Sequence, residues 1–143
     1  MLFGRKNRAI VRLLLVEDEP LIAFDNEHFL SDAKFDVVAT VDKVTDALSV
    51  IESGEPIDLV LVDVALADGS GVEVARAAQA QGVAVLFVTG NCPVEAPDLA
   101  DGCLAKPYAQ RDLLQAITAI EATREGRPVK KVPAGFRLFD RQG

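Results

Sequence analysis

Four clusters of polar residues stand at the ends of apolar runs in this sequence. Glu17-Asp18-Glu19 follows residues 10–16, Asp63 follows 57–62, Thr89-Gly90 follows 83–88, and Lys106-Pro107 follows 102–105. Gathered in one place they give three carboxylates (Glu17, Asp18 and Asp63) faced by one hydroxyl and one ammonium. Carboxylates held so close repel one another, and burial raises the cost. A hard divalent cation relieves that repulsion, and oxygen donors with room left for waters suit Mg²⁺. If one carboxylate attacks phosphorus, the other groups acquire roles at once. Metal and ammonium neutralise the phosphoryl oxygens, while the hydroxyl and backbone N–H groups bind them. The set is chemically complete for forming an acyl phosphate.

Such a gathering needs a scaffold that brings strand ends together. Apolar runs at 10–16, 37–41, 57–62, 83–88 and 102–105 are short and nearly continuous, as in strands covered on both faces of a parallel sheet. Helical segments separate them. Pro20 opens the first, which runs on through 21–35, because its missing N–H costs nothing at that position. Asp42 or Thr45 is placed to cap the second, which ends near Gly54; Ser70 is placed to cap the third, which ends at Gly82. Residues 109–124 form the last, with Leu113, Leu114, Ile117 and Ile120 at helical spacing. Pro93 and Pro97 should shorten the fourth. Five βα alternations imply right-handed crossovers and a doubly wound five-stranded parallel sheet, with ligands at the carboxyl ends of its strands.

The bulk properties narrow the classes. The chain has 143 residues, half of them apolar, enough for one sizeable core. Residues 1–12 carry +4 and residues 124–143 another +4, so the stretch 13–123 carries −15 within a total of −7. An acidic body disfavours nucleic acid, whose binding depends on neutralising phosphates. Cys92 and Cys103 have neither metal spacing nor a disulfide pattern, which reads as reduced thiols in a cytoplasmic protein. The apolar run at 10–16 contains Arg12 and meets Glu17-Asp18-Glu19 at once, too short for a signal segment or a membrane span. The chain divides into a basic N-terminal extension (1–9), a globular unit (10–124) and a tail (125–143).

Each polar pair alone is common in α/β proteins; all four in this order, at the ends of four of the five strands, resemble the receiver domains of bacterial two-component response regulators. The likeness covers about residues 10–124. It implies a flavodoxin-like (βα)5 fold that catalyses its own aspartyl phosphorylation and dephosphorylation, fed by a histidine kinase or histidine phosphotransfer protein. By this resemblance Asp63 is the phosphoacceptor, Asp18 a direct Mg²⁺ ligand and Glu17 a ligand through water. Ala65 would give its carbonyl to the metal, Thr89 is the switch hydroxyl and Lys106 the phosphate-binding lysine. Phe87-Val88-Thr89-Gly90 also resembles imperfectly, with Val88 in place of alanine and Asn91-Cys92 following, the motif of a Phe-Ala-Thr-Gly (FATGUY) sub-family of single-domain receivers in general stress signalling.

The sequence departs from that pattern in one place. Receivers usually carry an aromatic switch three residues before the lysine; here that residue is Cys103, and the only tyrosine, Tyr108, follows the lysine. A rival reading is therefore a protein-binding module on the same fold that works without phosphorylation. A metal-dependent phosphatase ranks below it, because Val64 and Ala65 after Asp63 offer no general acid. Cys103 reads as a small core residue and His28 as a surface histidine. Phe136-Arg137-Leu138-Phe139 needs somewhere to pack, and the sequence leaves three options open: this chain, a second copy in a homodimer, or a downstream protein partner.

Overall fold

The stretches Leu13-Leu14-Leu15-Val16, Leu59-Val60-Leu61-Val62 and Ala84-Val85-Leu86-Phe87-Val88 have no polar face, so as strands they must be covered on both sides. The computed structural model, which describes residues 8–129 and 131–139, buries all of them. They form β1 (Arg12–Val16), β3 (Leu59–Asp63) and β6 (Ala84–Thr89), flanked by β2 (Asp36–Val41) and β7 (Gly102–Ala105). These five strands pair in parallel, and β8 (Phe136–Leu138) adds a sixth, antiparallel to β7; the order is β2-β1-β3-β6-β7-β8. The helices are α1 (Pro20–Asp32), α2 (Val44–Glu52), α3 (Gly71–Ala80), α4 (Ala96–Leu99) and α5 (Gln110–Arg124).

Alternate residues of each strand feed opposite layers, as the period of two requires. Leu14, Val16, Val60, Val62, Val85 and Phe87 pack with α2, α3 and α4. Leu13, Leu15, Leu59, Leu61, Leu86 and Val88 pack with α1 and α5. The tail joins both layers: Phe136 is buried on the α5 side and Phe139 on the α4 side. Each ring contributes about 1.5–3 kcal/mol by leaving water. Gly102 makes room, since a Cβ there would lie 2.6 Å from the Phe136 ring.

Several local expectations need adjusting. Helix α1 stops at Asp32 rather than continuing to residue 35, because Lys34 turns into the left-handed region at φ 78° and the Phe35 N–H returns to the Leu30 carbonyl. Neither Asp42 nor Thr45 caps α2. Asp68, distant in sequence, accepts the Val44 N–H at 2.8 Å and the Thr45 N–H at 3.3 Å. It sits in a small hairpin, β4 (Ala65–Leu66) and β5 (Gly69–Ser70), that the hydrophobic pattern gives no hint of. Ser70 does cap α3, accepting the Val72 N–H at 3.1 Å, and α4 is cut to a single turn. His28 is exposed against Phe24, and Cys103 is buried in the core. The basic residues Arg5 and Lys6, and residues 140–143 of the tail, lie outside the described residues. Among the described residues, no helix is long and apolar enough to cross a membrane.

Candidate functional site

Parallel pairing brings the carboxyl ends of β1, β3, β6 and β7 to one edge, and the four polar clusters meet there. One ligand oxygen from each of Glu17, Asp18 and Asp63 lies within 4.8 Å of the others. Glu17 and Asp63 are buried, at 5% and 6% exposure. Lys106 reaches in from the end of β7: its Nζ is 2.7 Å from Asp63 Oδ2, 3.2 Å from Glu17 Oε1 and 3.5 Å from Glu19 Oε2. Its backbone N–H donates to the Thr89 carbonyl at 2.9 Å, which ties the lysine to the end of β6.

One ammonium does not balance this cluster. Burial pushes the Glu17 carboxyl above its ordinary range, despite the opposing Glu19 N–H and Lys106. Lys106 is pushed the other way by burial, yet the hydrogen bonds and charges of Asp63 and Glu17 outweigh that and raise it. Its charge is secure. Glu17 Oε1, though near Lys106 Nζ, is buried without a hydrogen bond. A buried carboxylate oxygen without a donor is costly unless something else meets it. An orphan oxygen in an all-carboxylate cluster fits a hard divalent cation of the Mg²⁺ type.

The remaining candidates hold defined positions. Asp63 Oδ1 accepts the Ala65 N–H at 3.2 Å, so the residue that opens β4 braces the acid two positions before it. Thr89 is buried, and its hydroxyl is engaged with Asn91, accepting the N–H at 3.1 Å and facing the carbonyl at 3.2 Å. A groove of about 930 Å³ runs from Lys106 along α1, lined by Glu19, Ile22, Asn26, Phe29 and Tyr108. There the Tyr108 hydroxyl accepts a hydrogen bond from Asn26 Nδ2 at 2.8 Å.

Two supporting residues were not foreseen. Gly71, the first residue of α3, packs on the Asp63 backbone: a Cβ there would collide with the Asp63 carbonyl and come within 2.9 Å of Val62. Nothing in the sequence marks it, since the contact joins the N-terminus of α3 to the end of β3. Asp68 ties the hairpin after Asp63 to the start of α2; the Asp68-Gly69 pair could have signalled a turn there.

The comparisons agree with this geometry. A family model described as the response regulator receiver domain matches residues 13–118. Among solved structures, a CheY-like receiver domain protein from Methanospirillum hungatei is 26% identical with a TM-score of 0.74, covering 82% of this chain and 98% of that one. A response regulator receiver protein from Sinorhizobium medicae is 28% identical with a TM-score of 0.70, covering 81% and 98%. The phyllosphere-induced regulator PhyR of Methylorubrum extorquens is 36% identical over 58 residues, which span 41% of this chain and 22% of that protein.

Proposed function

The chain belongs to the response regulator receiver domain family, and from that premise we propose that it is a phosphoacceptor, taking a phosphoryl group on Asp63 from a phosphohistidine or a small phosphodonor. The observation that supports this most is Lys106 Nζ at 2.7 Å from Asp63 Oδ2, inside a carboxylate cluster with an uncompensated oxygen.

Glu17, Asp18, Asp63 and the Ala65 carbonyl would hold Mg²⁺. When bound, it supplies positive charge against the phosphoryl oxygens. This chain's own residues do the rest. An Asp63 oxygen forms the new O–P bond as the donor's bond to phosphorus breaks, N–P in a phosphohistidine, which leaves as the imidazole, and O–P in acetyl phosphate, which leaves as acetate. The Lys106 ammonium shifts its contact from the carboxylate to a phosphoryl oxygen. The Ala65 N–H steadies Asp63, and the Thr89 hydroxyl, once free of Asn91, would donate to the group. The donor approaches past Lys106, where α1 also presents Leu21 and Phe24 to solvent; we take this face as the contact for a histidine kinase or phosphotransfer protein. Output is contact with a further protein, or drainage of phosphate from a shared donor. A finer placement among general stress receivers is supported by Phe87-Val88-Thr89-Gly90 alone.

The test is incubation with acetyl phosphate and Mg²⁺, read by intact mass. One added phosphate that is absent in Asp63→Asn is the expected result. No phosphate on the wild type would favour the rival, a binding module independent of phosphorylation.

A further inference from the structure

Helix α1 buries two side chains on one face, Leu30 and, four residues before it, Asn26. An amide placed in that apolar layer costs stability unless it finds a partner. Asn26 is 5% exposed, and its Nδ2 donates to the Tyr108 hydroxyl at 2.8 Å. Tyr108 is the only tyrosine of the chain and stands two residues after Lys106, half-buried against the layer of α1 and α5. On its other side Asn26 lines a small cavity together with Glu17. The amide therefore stands between the acidic cluster and the turn that carries the lysine.

That turn, between β7 and α5, has little backbone bonding of its own. Lys106 donates its N–H to the Thr89 carbonyl at 2.9 Å, but Pro107 has no N–H to give. Among the described residues, no acceptor meets the Tyr108 or Ala109 N–H, and Ala109 leads into α5 without a side-chain cap. Helix α1 supplies what the backbone lacks: Asn26 holds Tyr108, and the neighbouring Asp25 carbonyl accepts Gln110 Nε2 at 3.2 Å. In the resting site the Lys106 ammonium is held as well, by Asp63 at 2.7 Å and Glu17 at 3.2 Å. Phosphoryl transfer loosens that second hold, because the ammonium must leave an Asp63 oxygen for the incoming group.

We propose that Asn26 and Tyr108 are positioning residues for phosphoryl transfer: their hydrogen bond ties the turn after β7 to α1 and keeps Lys106 aimed when its ammonium leaves Asp63. The proposal rests on the phosphoacceptor reading. A charge held in place stabilises a transition state better than one that must first be ordered. Breaking the tie should slow transfer about tenfold, the rate equivalent of one hydrogen bond. Mg²⁺ affinity should not change, since neither residue belongs to the proposed ligand set. The two side chains act as one unit, so losing both should slow transfer no more than losing either.

Tyr108→Phe keeps the ring and removes the hydroxyl, while Asn26→Leu keeps the bulk and removes the amide. On the full-length protein and both variants, phosphorylation by acetyl phosphate is followed by intact mass, Mg²⁺ binding by titration, and amide exchange by mass spectrometry of peptides spanning 105–109. The expected result is exchange about tenfold faster in that turn, transfer about tenfold slower, unchanged Mg²⁺ affinity, and a double variant no slower than the singles. Should Asn26→Leu fail to fold, Tyr108→Phe alone supplies the exchange, rate and Mg²⁺ comparisons. Unchanged exchange at 105–109 overturns the tie. Faster exchange with an unchanged rate overturns the positioning role and leaves a structural contact. A parallel loss of Mg²⁺ affinity shows that the effect runs through the carboxylates and overturns the assignment to Lys106. Slowing in the double variant equal to the product of the singles overturns the pair as a unit. If the wild type takes no phosphate, the phosphoacceptor reading falls and the positioning role with it, while exchange still decides whether α1 holds the turn.

Discussion

Both ends of the sheet hold carboxylates at least partly out of water, but they treat them in opposite ways. At the amino end, Asp58 accepts the N–H groups of Val11 and Arg12 at 2.9 and 2.8 Å and pairs with the Arg12 guanidinium at 3.2 Å. Burial would push the Asp58 carboxyl up, but those bonds hold it below its ordinary range. Asp101 accepts the Val85 N–H at 3.0 Å and Arg124 Nε at 2.7 Å, while its backbone carbonyl takes the Phe139 N–H at 2.9 Å. Arg124 also reaches the Gly82 carbonyl at 3.2 Å. One aspartate therefore joins β6, α5 and the tail. At the carboxyl end, Glu17, Glu19 and Asp63 share one lysine and a Glu17 oxygen is left without a donor. Satisfied acids hold a fold together; unsatisfied ones hold a place for something that arrives later.

Substitutions at the two ends should separate these roles, and the largest effect is chemical. Asp63→Asn keeps the shape and removes the attacking charge. Phosphorylation by acetyl phosphate should vanish by intact mass, while the urea midpoint stays the same or rises. A variant that still gains phosphate at the wild-type rate would remove Asp63 from its role. At the amino end the loss should be structural. Asp101→Ala leaves the buried Val85 N–H without its acceptor and takes from Arg124 its carboxylate partner, while the Gly82 carbonyl remains, at about 1–3 kcal/mol. Urea unfolding should show that loss with Asp63 chemistry intact in the folded protein.

Gly71→Ala tests whether the carboxyl end also depends on packing. The new methyl must push against the Asp63 carbonyl, so stability should fall by about 1–3 kcal/mol and phosphorylation should slow as well. A stability loss without any kinetic change would make Gly71 purely structural. Asp18→Ala removes a proposed metal ligand, so Mg²⁺ affinity by titration should drop at least tenfold, about 1.4 kcal/mol. Unchanged Mg²⁺ binding would contradict the proposed ligand set.

The smallest effect is in pH dependence, where the two ends should carry opposite signs. A carboxyl raised in the folded state binds its proton more tightly there. In the metal-free protein, Glu17 therefore costs stability as pH rises through the ordinary carboxylate range, and that cost is relieved on acidification. Asp58 is held down, so its contribution is present above that range and is lost as pH falls through it. Glu17→Gln should flatten the first dependence and Asp58→Asn the second, followed by urea midpoints across pH 3–7. Identical slopes in both variants would erase the distinction.

The parts of this protein legible in the sequence are those encoded by local periodicity. Continuous apolar runs require cover on both faces, so the five parallel strands and their order of alternation with helices could be read directly. The positions of Glu17, Asp18, Asp63, Thr89 and Lys106 followed, because each ends such a run and a parallel sheet gathers its strand ends. Pro20, Ser70 and the proline-shortened fourth helix were legible for the same reason, since their effect lies within a few residues of backbone.

Contacts between distant residues were decided only by the tertiary structure. Asp42 and Thr45 were reasonable caps by local rule, yet Asp68 reached the same N–H groups from another loop. The tail carried three apolar side chains and three destinations. Gly102 resolved them by leaving room for Phe136, and the unpaired edge of β7 offered backbone hydrogen bonds to a further strand. Gly71 against Asp63 and Asp101 between strands and helix both belong to this class. Sequence spacing reports what one element presents on each face, while a close approach between two elements depends on how they pack, which no single period encodes.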